Sequence, residues 1–442
     1  MSLTLLLSLL SLLSIAFQTA PLPRVKYFRK LDLDRKQSYL TTYEIKGKDT
    51  ARARCYRCTY DKSGRMVRWE YISARRPATD PMFGLHRIDI THSGNERRQS
   101  FFDERGNPTR AEGTGSYGTS QFAEIIRVFP SADSAVKILL NRNGDPMKAD
   151  HDGCSYYTWK LDARGLRIRQ ACYSEYDLRV TDADAMFEIR YENNDLGDLI
   201  GLQVVNEDET LLSFTRIGYD SMRNRAWERF YRGDSTYNGE RPIRFFSYDR
   251  DGNKIETAYY SDDEHAHSRE TRTFDAFGNP LVERMYNAEN VLGVEARNEY
   301  DERNLLIKQD IFEGGSQHKA RVFRYYDDHG NEIERKYYLR VDGQLSLMAR
   351  DVMSYDSLGF MTRYEHRDGA GAYRENEEGV ALTVIERDRL GDVQEIRYYD
   401  AQGKYAVMGE DKYSIEKFFY HAGGEVDRVE FLSADRTWLY SE

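Results

Sequence analysis

The sequence is short of the residues on which catalytic and nucleic-acid-binding sites usually depend. Its 442 residues include nine His and four Cys, and 64 Lys and Arg are interspersed among 74 Asp and Glu, for a net charge of -10. An acidic chain without a basic face is not expected to bind nucleic acid. No Gly-x-Ser-x-Gly or His-Glu-x-x-His motif occurs, and no nucleophile, base and orienting group stand at a usable spacing. We therefore predict no nucleic-acid partner, no cofactor, no metal and no catalytic residues.

Long apolar runs are missing, apart from one at the start of the chain. Residues 3–17 are mostly apolar, and they fit the hydrophobic part of a secretory signal peptide with a small-x-small cleavage site at 14–16. No Lys or Arg precedes the run, whereas Arg24 and Lys26 follow it, which favours retention in the membrane. We predict a signal peptide over residues 1–20, with an N-terminal anchor as the alternative. The lack of Asn-x-Ser/Thr sites agrees with a bacterial protein that is secreted, periplasmic or on the cell surface.

The most informative feature that is present is a recurring Tyr/Phe-Asp-x-x-Gly-Asn pattern. It reads YDRDGN from Tyr248, FDAFGN from Phe274, YDERNL from Tyr300, YDDHGN from Tyr326 and YDSLGF from Tyr355, in steps of 26, 26, 26 and 29 residues. A fixed period of this size indicates a repeat architecture.

Turn chemistry explains the pattern. Asp accepts hydrogen bonds from the backbone two residues on, and Gly adopts the left-handed conformation that closes a hairpin. Each copy is therefore predicted to be a turn between two strands. The predicted turn residues are Asp249, Gly252, Asp275, Gly278, Asp301, Asp327, Gly330, Asp356 and Gly359.

Looser copies extend the array in both directions, from Tyr60, Phe102, Leu161, Tyr219, Arg387 and Tyr420. The pattern predicts a single repeat domain over residues 24–442, with about 14 units and about 25 to 28 short strands, irregular over residues 75–152. Aromatic doublets place rings on both faces of a strand, which favours a coiled sheet over a flat one. The predicted fold class is all-β: tandem β-hairpin repeats that form an extended, twisted or coiled antiparallel sheet, like a β-solenoid or shell. Each unit is expected to contact mainly its neighbours.

These turns resemble those of the YD-repeat, or Rhs-type, family, whose units have a Tyr-Asp-x-x-Gly-Arg/Asn core followed by polar and aromatic strand residues. The resemblance is closest between Arg244 and Gly359. It implies repeats that build β-sheet shells, which in large members enclose a C-terminal toxin or act in adhesion and competition. This chain is short and has no Asp-Pro-x-Gly-Leu core after its repeats. The resemblance therefore implies a binding or scaffolding role for a short, repeat-only member.

The four cysteines form two candidate pairs. Cys154 and Cys172 lie on either side of the predicted turn at 162–165, and in a hairpin centred on Ala163 they fall opposite one another. Cys55 and Cys58 form a Cys-x-x-Cys motif. A zinc site usually has a second close Cys/His pair, and a redox motif begins a helix. In an exported protein two disulfides are the simplest account, with free thiols and metal binding as alternatives.

Three further motifs have structural explanations. A calcium loop starting at Asp249 would need a carboxylate at its twelfth position, where Tyr260 stands. The Gly-x-Gly-x-x-Gly motif at 113–118 precedes strand-like residues and not a helix, so it predicts a loop. His265 and His267 would lie on the same face of a strand, but no third metal ligand stands at a suitable spacing.

Repeats that fill the chain leave little room for a separate catalytic domain. We expect an exported, non-catalytic protein that offers an extended binding or scaffold surface to proteins or glycans at the cell envelope. Tyr and Arg often anchor such interfaces, although cross-strand tyrosines can equally serve only to hold a sheet together. The alternative is a toxin-system component or an enzyme with its site in residues 75–152, which contain His86, His92 and His151.

Overall fold

The computed structural model describes residues 24–33, 39–46, 50–51, 53–80, 83–109, 122–129, 133–147, 154–181, 187–233, 243–261, 266–409, 412–424 and 426–441. The predicted signal peptide therefore lies outside the described residues. Within the described part of the chain, no helix has the length and hydrophobicity needed to span a bilayer.

The described strands are Arg24–Leu33 (β1), Tyr39–Ile45 (β2), Arg54–Tyr60 (β3), Met66–Ser73 (β4), Arg76–Pro77 (β5), Arg87–Ser93 (β6), Glu96–Phe102 (β7), Ala123–Phe129 (β8), Ser134–Leu140 (β9), Tyr156–Leu161 (β10), Arg167–Tyr173 (β11), Glu188–Asn193 (β12), Leu199–Val205 (β13), Leu211–Tyr219 (β14), Arg225–Arg232 (β15), Ile243–Tyr248 (β16), Lys254–Tyr260 (β17), Ala266–Phe274 (β18), Pro280–Tyr286 (β19), Leu292–Tyr300 (β20), Leu306–Glu313 (β21), Gln317–Tyr326 (β22), Glu332–Val341 (β23), Gln344–Tyr355 (β24), Met361–Asp368 (β25), Leu382–Arg387 (β26), Val393–Tyr399 (β27), Ile415–Tyr420 (β28), Val426–Leu432 (β29) and Trp438–Ser441 (β30).

All 30 described strands belong to one sheet. β1 lies between β2 and β3, β4 pairs with β3, β5 and β6, and from β6 onward each strand is antiparallel to the next. The sheet is not closed, and the predicted all-β fold class is confirmed. The predicted strand number is slightly too low, because it assumed two strands for each repeat turn. The two-residue β5 and the four-residue β30 are additional to these. The stretch predicted to be irregular contains β5 to β9.

Each predicted turn is a short hairpin loop organised by its Asp carboxylate. In the turn at 249–253, the amide of Asp249 donates to the carbonyl of Asn253 at 3.0 Å, and the amide of Gly252 donates to the carbonyl of Asp249 at 3.1 Å. Asp249 Oδ1 accepts the amides of Asp251 and Asn253, each at 2.9 Å, and Oδ2 accepts Asn253 Nδ2 at 2.9 Å. Gly252 has φ 82°, as expected for the last residue of a three-residue loop that ends in a bulge.

The Gly position of this turn tolerates other residues that can adopt a left-handed backbone. Asn304 occupies it in YDERNL with φ 61°, and Arg223 occupies it in the turn at 220–224 with φ 64°. Asn reaches this region more easily than most residues do. The turn therefore survives where the sequence pattern is degenerate, because the Asp that accepts the backbone amides is kept.

The tyrosine before each Asp joins one unit to the previous one. The hydroxyl of Tyr326 donates to the carbonyl of Leu306 at 2.8 Å, and the hydroxyl of Tyr300 donates to that of Pro280 at 3.0 Å. In both cases the acceptor is the first residue after the preceding turn. The same bond is made by Tyr219 to Leu199, Tyr248 to Arg225, Tyr355 to Glu332 and Tyr420 to Val393. The Tyr of the pattern therefore has a structural role of its own.

The sheet coils until its two edges meet, where an edge means the line of strand ends and connecting turns along one side of the sheet and not an outermost strand. We call the edge with the turns at 162–166, 194–198, 220–224 and 249–253, and the later turns of the pattern, the turn edge, and the opposite one the return edge. The hydrogen-bonded partners Arg29 and Ala276, and likewise Arg105 and Gly359, are 247 and 254 residues apart in sequence. One full turn of the coil therefore spans about 250 residues. It brings the return edge of the early strands against the turn edge of the late strands. Each unit still contacts mainly its neighbours in the sheet, as expected, and the meeting edges add a few contacts between distant units.

Apolar packing is concentrated in the first strands. Phe28, Leu31, Trp69 and Ile88 belong to a cluster that joins β1, β3, β4 and β6, and Trp69 is completely buried. Along the later strands, buried positions often hold carboxylates that face arginines on the same strand or on a neighbouring one. Glu295, at 3% exposure, accepts from Arg284 and Arg297. The late sheet is thus held together largely by hydrogen bonds and ion pairs.

The tyrosine bond between units can be tested by removing one hydroxyl. Tyr326→Phe should lower the free energy of unfolding by about 1 kcal/mol, because the carbonyl of Leu306 loses a partner. The matched control is Tyr325→Phe, since the neighbouring Tyr325 is 42% exposed and should change stability by less than about 0.5 kcal/mol. The urea midpoints of both variants would be compared with that of the wild-type protein. Equal midpoints for the two variants would contradict this role.

The same tyrosines should make the protein sensitive to alkali. Burial raises the pKa of Tyr248, Tyr300 and Tyr326 to about 12, from an ordinary value of 10.0. Between these values the unfolded chain has lost protons that the folded chain retains, so the unfolding free energy falls as pH rises. We expect constant stability below about pH 9 and a steady loss from about pH 10 to 12. Tyrosinate absorbance and circular dichroism, recorded together, should change in the same pH range.

Candidate functional site

The predicted turn residues lie side by side along the turn edge, and several of their turns accept hydrogen bonds from arginines early in the chain. Arg54 Nη2 donates to the carbonyl of Asn304 at 2.7 Å, and Arg76 Nη1 donates to that of Asp328 at 3.1 Å. Arg142 forms two hydrogen bonds of 2.6 Å with the carboxylate of Asp392. We call this row of contacts the seam. It extends from Tyr43, whose hydroxyl donates to Asn224 Oδ1 at 3.0 Å, to Asn143, whose Nδ2 donates to the carbonyl of Ala422.

The seam gives some turn glycines a second role. A Cβ atom added at Gly252 would lie 2.3 Å from the ring of Tyr43, and one added at Gly359 would lie 2.1 Å from Arg105 Nη2. At Gly330 the nearest atom would be Leu305 Cδ1 at 3.9 Å, an ordinary contact. All three glycines have φ between 77° and 93°. Gly252 therefore also leaves room for the ring of Tyr43, whereas the atom nearest Gly359 is the end of the flexible Arg105 side chain.

The two cysteine pairs differ. Cys154 and Cys172 form a disulfide with a Cα–Cα distance of 5.6 Å. Their hairpin is not centred on Ala163, because the register pairs Cys172 with Tyr157, and Cys154 lies just before the strand. Cys55 and Cys58 are buried free thiols, so the two-disulfide account does not describe them. They lie three residues apart on β3, and an extended strand points such side chains to opposite faces.

The environment of Cys55 and Cys58 does not favour reactivity. Burial raises the pKa of Cys55 to about 11 and that of Cys58 to about 12. Thiolates are the nucleophilic and metal-binding form of cysteine. Within the described residues, no group of three or more His, Cys, Asp or Glu side chains could hold a metal ion.

The histidines of the alternative site hold loops and strands in place. His86 is buried, and its Nδ1 lies 2.7 Å from the carbonyl oxygen of Tyr71. His92 Nε2 lies 3.0 Å from the carbonyl oxygen of Met66. His151, His265 and the glycine motif at 113–118 lie outside the described residues.

The buried carboxylates of the late sheet are held in their ionised form. Burial by itself raises the pKa of Asp310, but hydrogen bonds from Arg321, His318 and Lys308 outweigh this and lower it to about 2. Glu295 behaves in the same way between Arg284 and Arg297, and its pKa is lowered. A carboxyl group that stays ionised cannot donate a proton near neutral pH. These groups therefore suit cross-strand ion pairs better than acid catalysis.

Large apolar side chains project from turns at the two ends of the seam. Leu196 and Met222 stand at the same position of two neighbouring turns and are 68% and 65% exposed. The two turns are joined by Arg223, whose Nη2 donates to the carbonyl of Leu196 at 3.2 Å. On the return edge, Tyr176 and Leu178 are 75% and 66% exposed, in the turn that follows the last seam contact. These four are the most exposed large apolar side chains of the described residues, and we call them the seam-end residues.

Comparisons with known proteins give only distant likenesses. No family model and no curated protein matches the chain. A chain in the crystal structure of TcdB2-TccC3-Cdc42 is 12% identical with a TM-score of 0.41, over 93% of this chain and 27% of that one. A chain of TcdB2-TccC3 is 13% identical with a TM-score of 0.39, over 93% of this chain and 28% of that one. One of the Photorhabdus luminescens Tc holotoxin pore is 12% identical with a TM-score of 0.37, over 91% and 26%.

These values limit what the likenesses can say. The chain spans little more than a quarter of each of the three similar chains. At this level of identity and TM-score, the likeness carries no argument about activity or partners.

Sequence analysis missed both the seam and the link made by the tyrosines. The sequence did contain a signal for the tyrosine link, because Tyr precedes the turn Asp in most copies of the pattern and Phe precedes it in only a few. No comparable signal marks the seam, because Arg29, Arg54, Arg105 and Arg142 stand at different positions relative to the pattern.

The seam can be tested with two matched glycine substitutions. Gly330→Ala should cost about 1–2 kcal/mol, from the left-handed backbone alone. Gly252→Ala has the same backbone cost plus about 1–3 kcal/mol for displacing the ring of Tyr43. Urea denaturation would measure both. The extra cost should disappear when Tyr43→Ala is combined with Gly252→Ala. Equal costs for the two glycines would mean that the seam does not form.

Proposed function

We propose that the protein is an exported, non-catalytic, short member of the YD-repeat (Rhs-type) group, which binds proteins or glycans at the bacterial cell envelope. The observation that supports this best is the group of seam-end residues. Exposing large apolar side chains to water is unfavourable, and neighbouring ones often belong to an interaction surface. The turns need only a leading Asp or Asn acceptor and a left-handed residue, so the turn hydrogen bonds do not require Leu196 or Met222.

The chemistry of the polar groups supports the absence of catalysis. His86 and His92 contact backbone carbonyls, and the buried carboxylates contact arginines. The runner-up function is a toxin-system component or an enzyme with its site in residues 75–152. Turnover of a peptidase, glycosidase, esterase or phosphatase substrate that is abolished by one substitution in that stretch would favour the runner-up.

Export is supported by two independent features. Residues 1–20 have the pattern of a signal peptide. The disulfide between Cys154 and Cys172 suits an oxidising compartment such as the periplasm or the cell surface. The buried thiols of Cys55 and Cys58 are protected from solvent there.

The binding role predicts a defined effect of polar substitutions at the seam ends. The double variant Leu196→Ser/Met222→Ser should bind vesicles made from the bacterial envelope about tenfold or more weakly than the wild-type protein, because two apolar anchors are lost. Leu358→Ser/Leu390→Ser is the matched control, at the same position of two later turns, where the side chains are 42% and 55% exposed. Binding would be measured by surface plasmon resonance. Unchanged binding by the first variant, or an equal loss by both, would contradict the proposal.

A further inference from the structure

A cleft opens on the turn edge beside the first strands of the sheet. It has a volume of about 580 Å3 and is lined by residues of β1, β2, β3 and the turn at 61–65, among them Arg24, Lys26, Phe28, Thr41, Tyr60 and Lys62. Pockets of about 300–1,000 Å3 are typical of small-ligand sites. We propose that this cleft binds an acidic sugar unit of a glycan. The inference rests on the proposed function and names the class of ligand.

The charge of the cleft is opposite to that of the whole chain. Lys26 Nζ is 3.1 Å from a carboxylate oxygen of Glu44, which neutralises one of the three cations. Arg24 and Lys62 are exposed, and in the described part of the chain no carboxylate forms an ion pair with either of them. An anion in the cleft would therefore meet the charge of Lys62 and that of Arg24, which Glu44 only partly offsets without an ion pair.

The one carboxylate that lines the cleft is engaged by its own turn. Asp61 Oδ1 accepts the amides of Ser63 and Arg65 at 2.9 Å, and Oδ2 accepts Arg65 Nε at 2.9 Å. The backbone hydrogen bond from Arg65 is the main cause of its lowered pKa. The negative charge of Asp61 is thus largely balanced, and it opposes an anionic ligand less than a free carboxylate would.

The floor of the cleft is aromatic. Phe28 is 6% exposed and Tyr60 is half-buried, and Lys26 Nζ lies 5.8 Å from the centre of the Phe28 ring. The ring of Tyr60 packs against the buried cluster that contains Phe28 and Trp69. A ring held in this way offers an apolar surface next to the two cations.

An acidic sugar uses all of these features at once. Its carboxylate would face Arg24 and Lys62, and the C–H groups on one face of its ring would pack against an aromatic ring. A bare phosphate or sulfate ion would use the cations alone and would leave most of 580 Å3 empty. A nucleic acid strand needs an extended basic surface, which a chain of net charge -10 does not offer.

The test compares three probes on the mature protein by isothermal titration calorimetry. The probes are a tetrasaccharide of galacturonic acid, the neutral galactose tetrasaccharide, and a single-stranded oligonucleotide of the same charge. We expect the acidic tetrasaccharide to bind at least about tenfold more tightly than the other two, because each hydrogen bond to a charged group is worth about a tenfold change in affinity. Equal binding of the acidic and neutral sugars, tighter binding of the oligonucleotide, or competition by equimolar sulfate would overturn the inference.

Variants place the ligand in the cleft. Lys62→Gln and Arg24→Gln should each weaken binding of the acidic tetrasaccharide about tenfold. Arg250→Gln is the matched control, since Arg250 stands at the position of Lys62 in another turn and is also exposed. It should leave binding unchanged, as should Tyr60→Phe, which keeps the ring. An equal loss in Arg250→Gln would mean that the sugar binds by net charge and not in the cleft.

Failure of this inference can be told from failure of the proposed function. If the wild-type protein binds envelope vesicles but not the acidic tetrasaccharide, the cleft inference is wrong and the binding function stands. If the protein binds neither, both are wrong. If the tetrasaccharide binds and displaces the protein from the vesicles, both are supported, and the cleft is the site of contact.

Discussion

The Asp carboxylate of each turn is the interaction on which the rest of the structure depends. One oxygen of Asp249 accepts two backbone amides and the other accepts the side chain of Asn253. This stabilises a tight reversal that a left-handed residue completes, so the chain can fold into one hairpin after another with few apolar residues. The pattern tolerates Asn304 and Arg223 in place of Gly for the same reason. What is kept is the acceptor, since without it the amides of the turn would lose their partner.

Repeated hairpins alone would give a long ribbon, and two further contacts turn it into a coil. The tyrosine hydroxyls bind each unit to the preceding one at a constant place, directly after the turn. A constant offset between twisted strands accumulates into a regular curvature. After about 250 residues the early return edge meets the late turn edge, and Arg54, Arg105 and Arg142 donate to the turns there. Some turn glycines are therefore constrained twice, by their backbone and by a neighbour far away in sequence.

Polar contacts also account for the composition of the late strands. Because Glu295 and Asp310 are ionised and paired with arginines within and across the strands, these pairs account for many of the acidic and basic residues that make the chain so polar overall. The contact surfaces proposed above are the seam-end residues and the basic, aromatic cleft at the beginning of the sheet.

The local part of this structure was determined by the sequence itself. Hairpin turns depend on residues within five positions of one another, so the spacing of Asp and Gly from residue 248 to residue 360 predicted the turns, the antiparallel pairing and the all-β class. Tertiary structure decided which edge a turn occupies. The copy at Phe102 looks like the others, but it lies on the return edge, where Arg105 contacts Gly359. The tertiary structure also decided that Cys172 lies opposite Tyr157 in the register of the hairpin. These features depend on accumulated twist and on contacts some 250 residues apart, which no short pattern encodes.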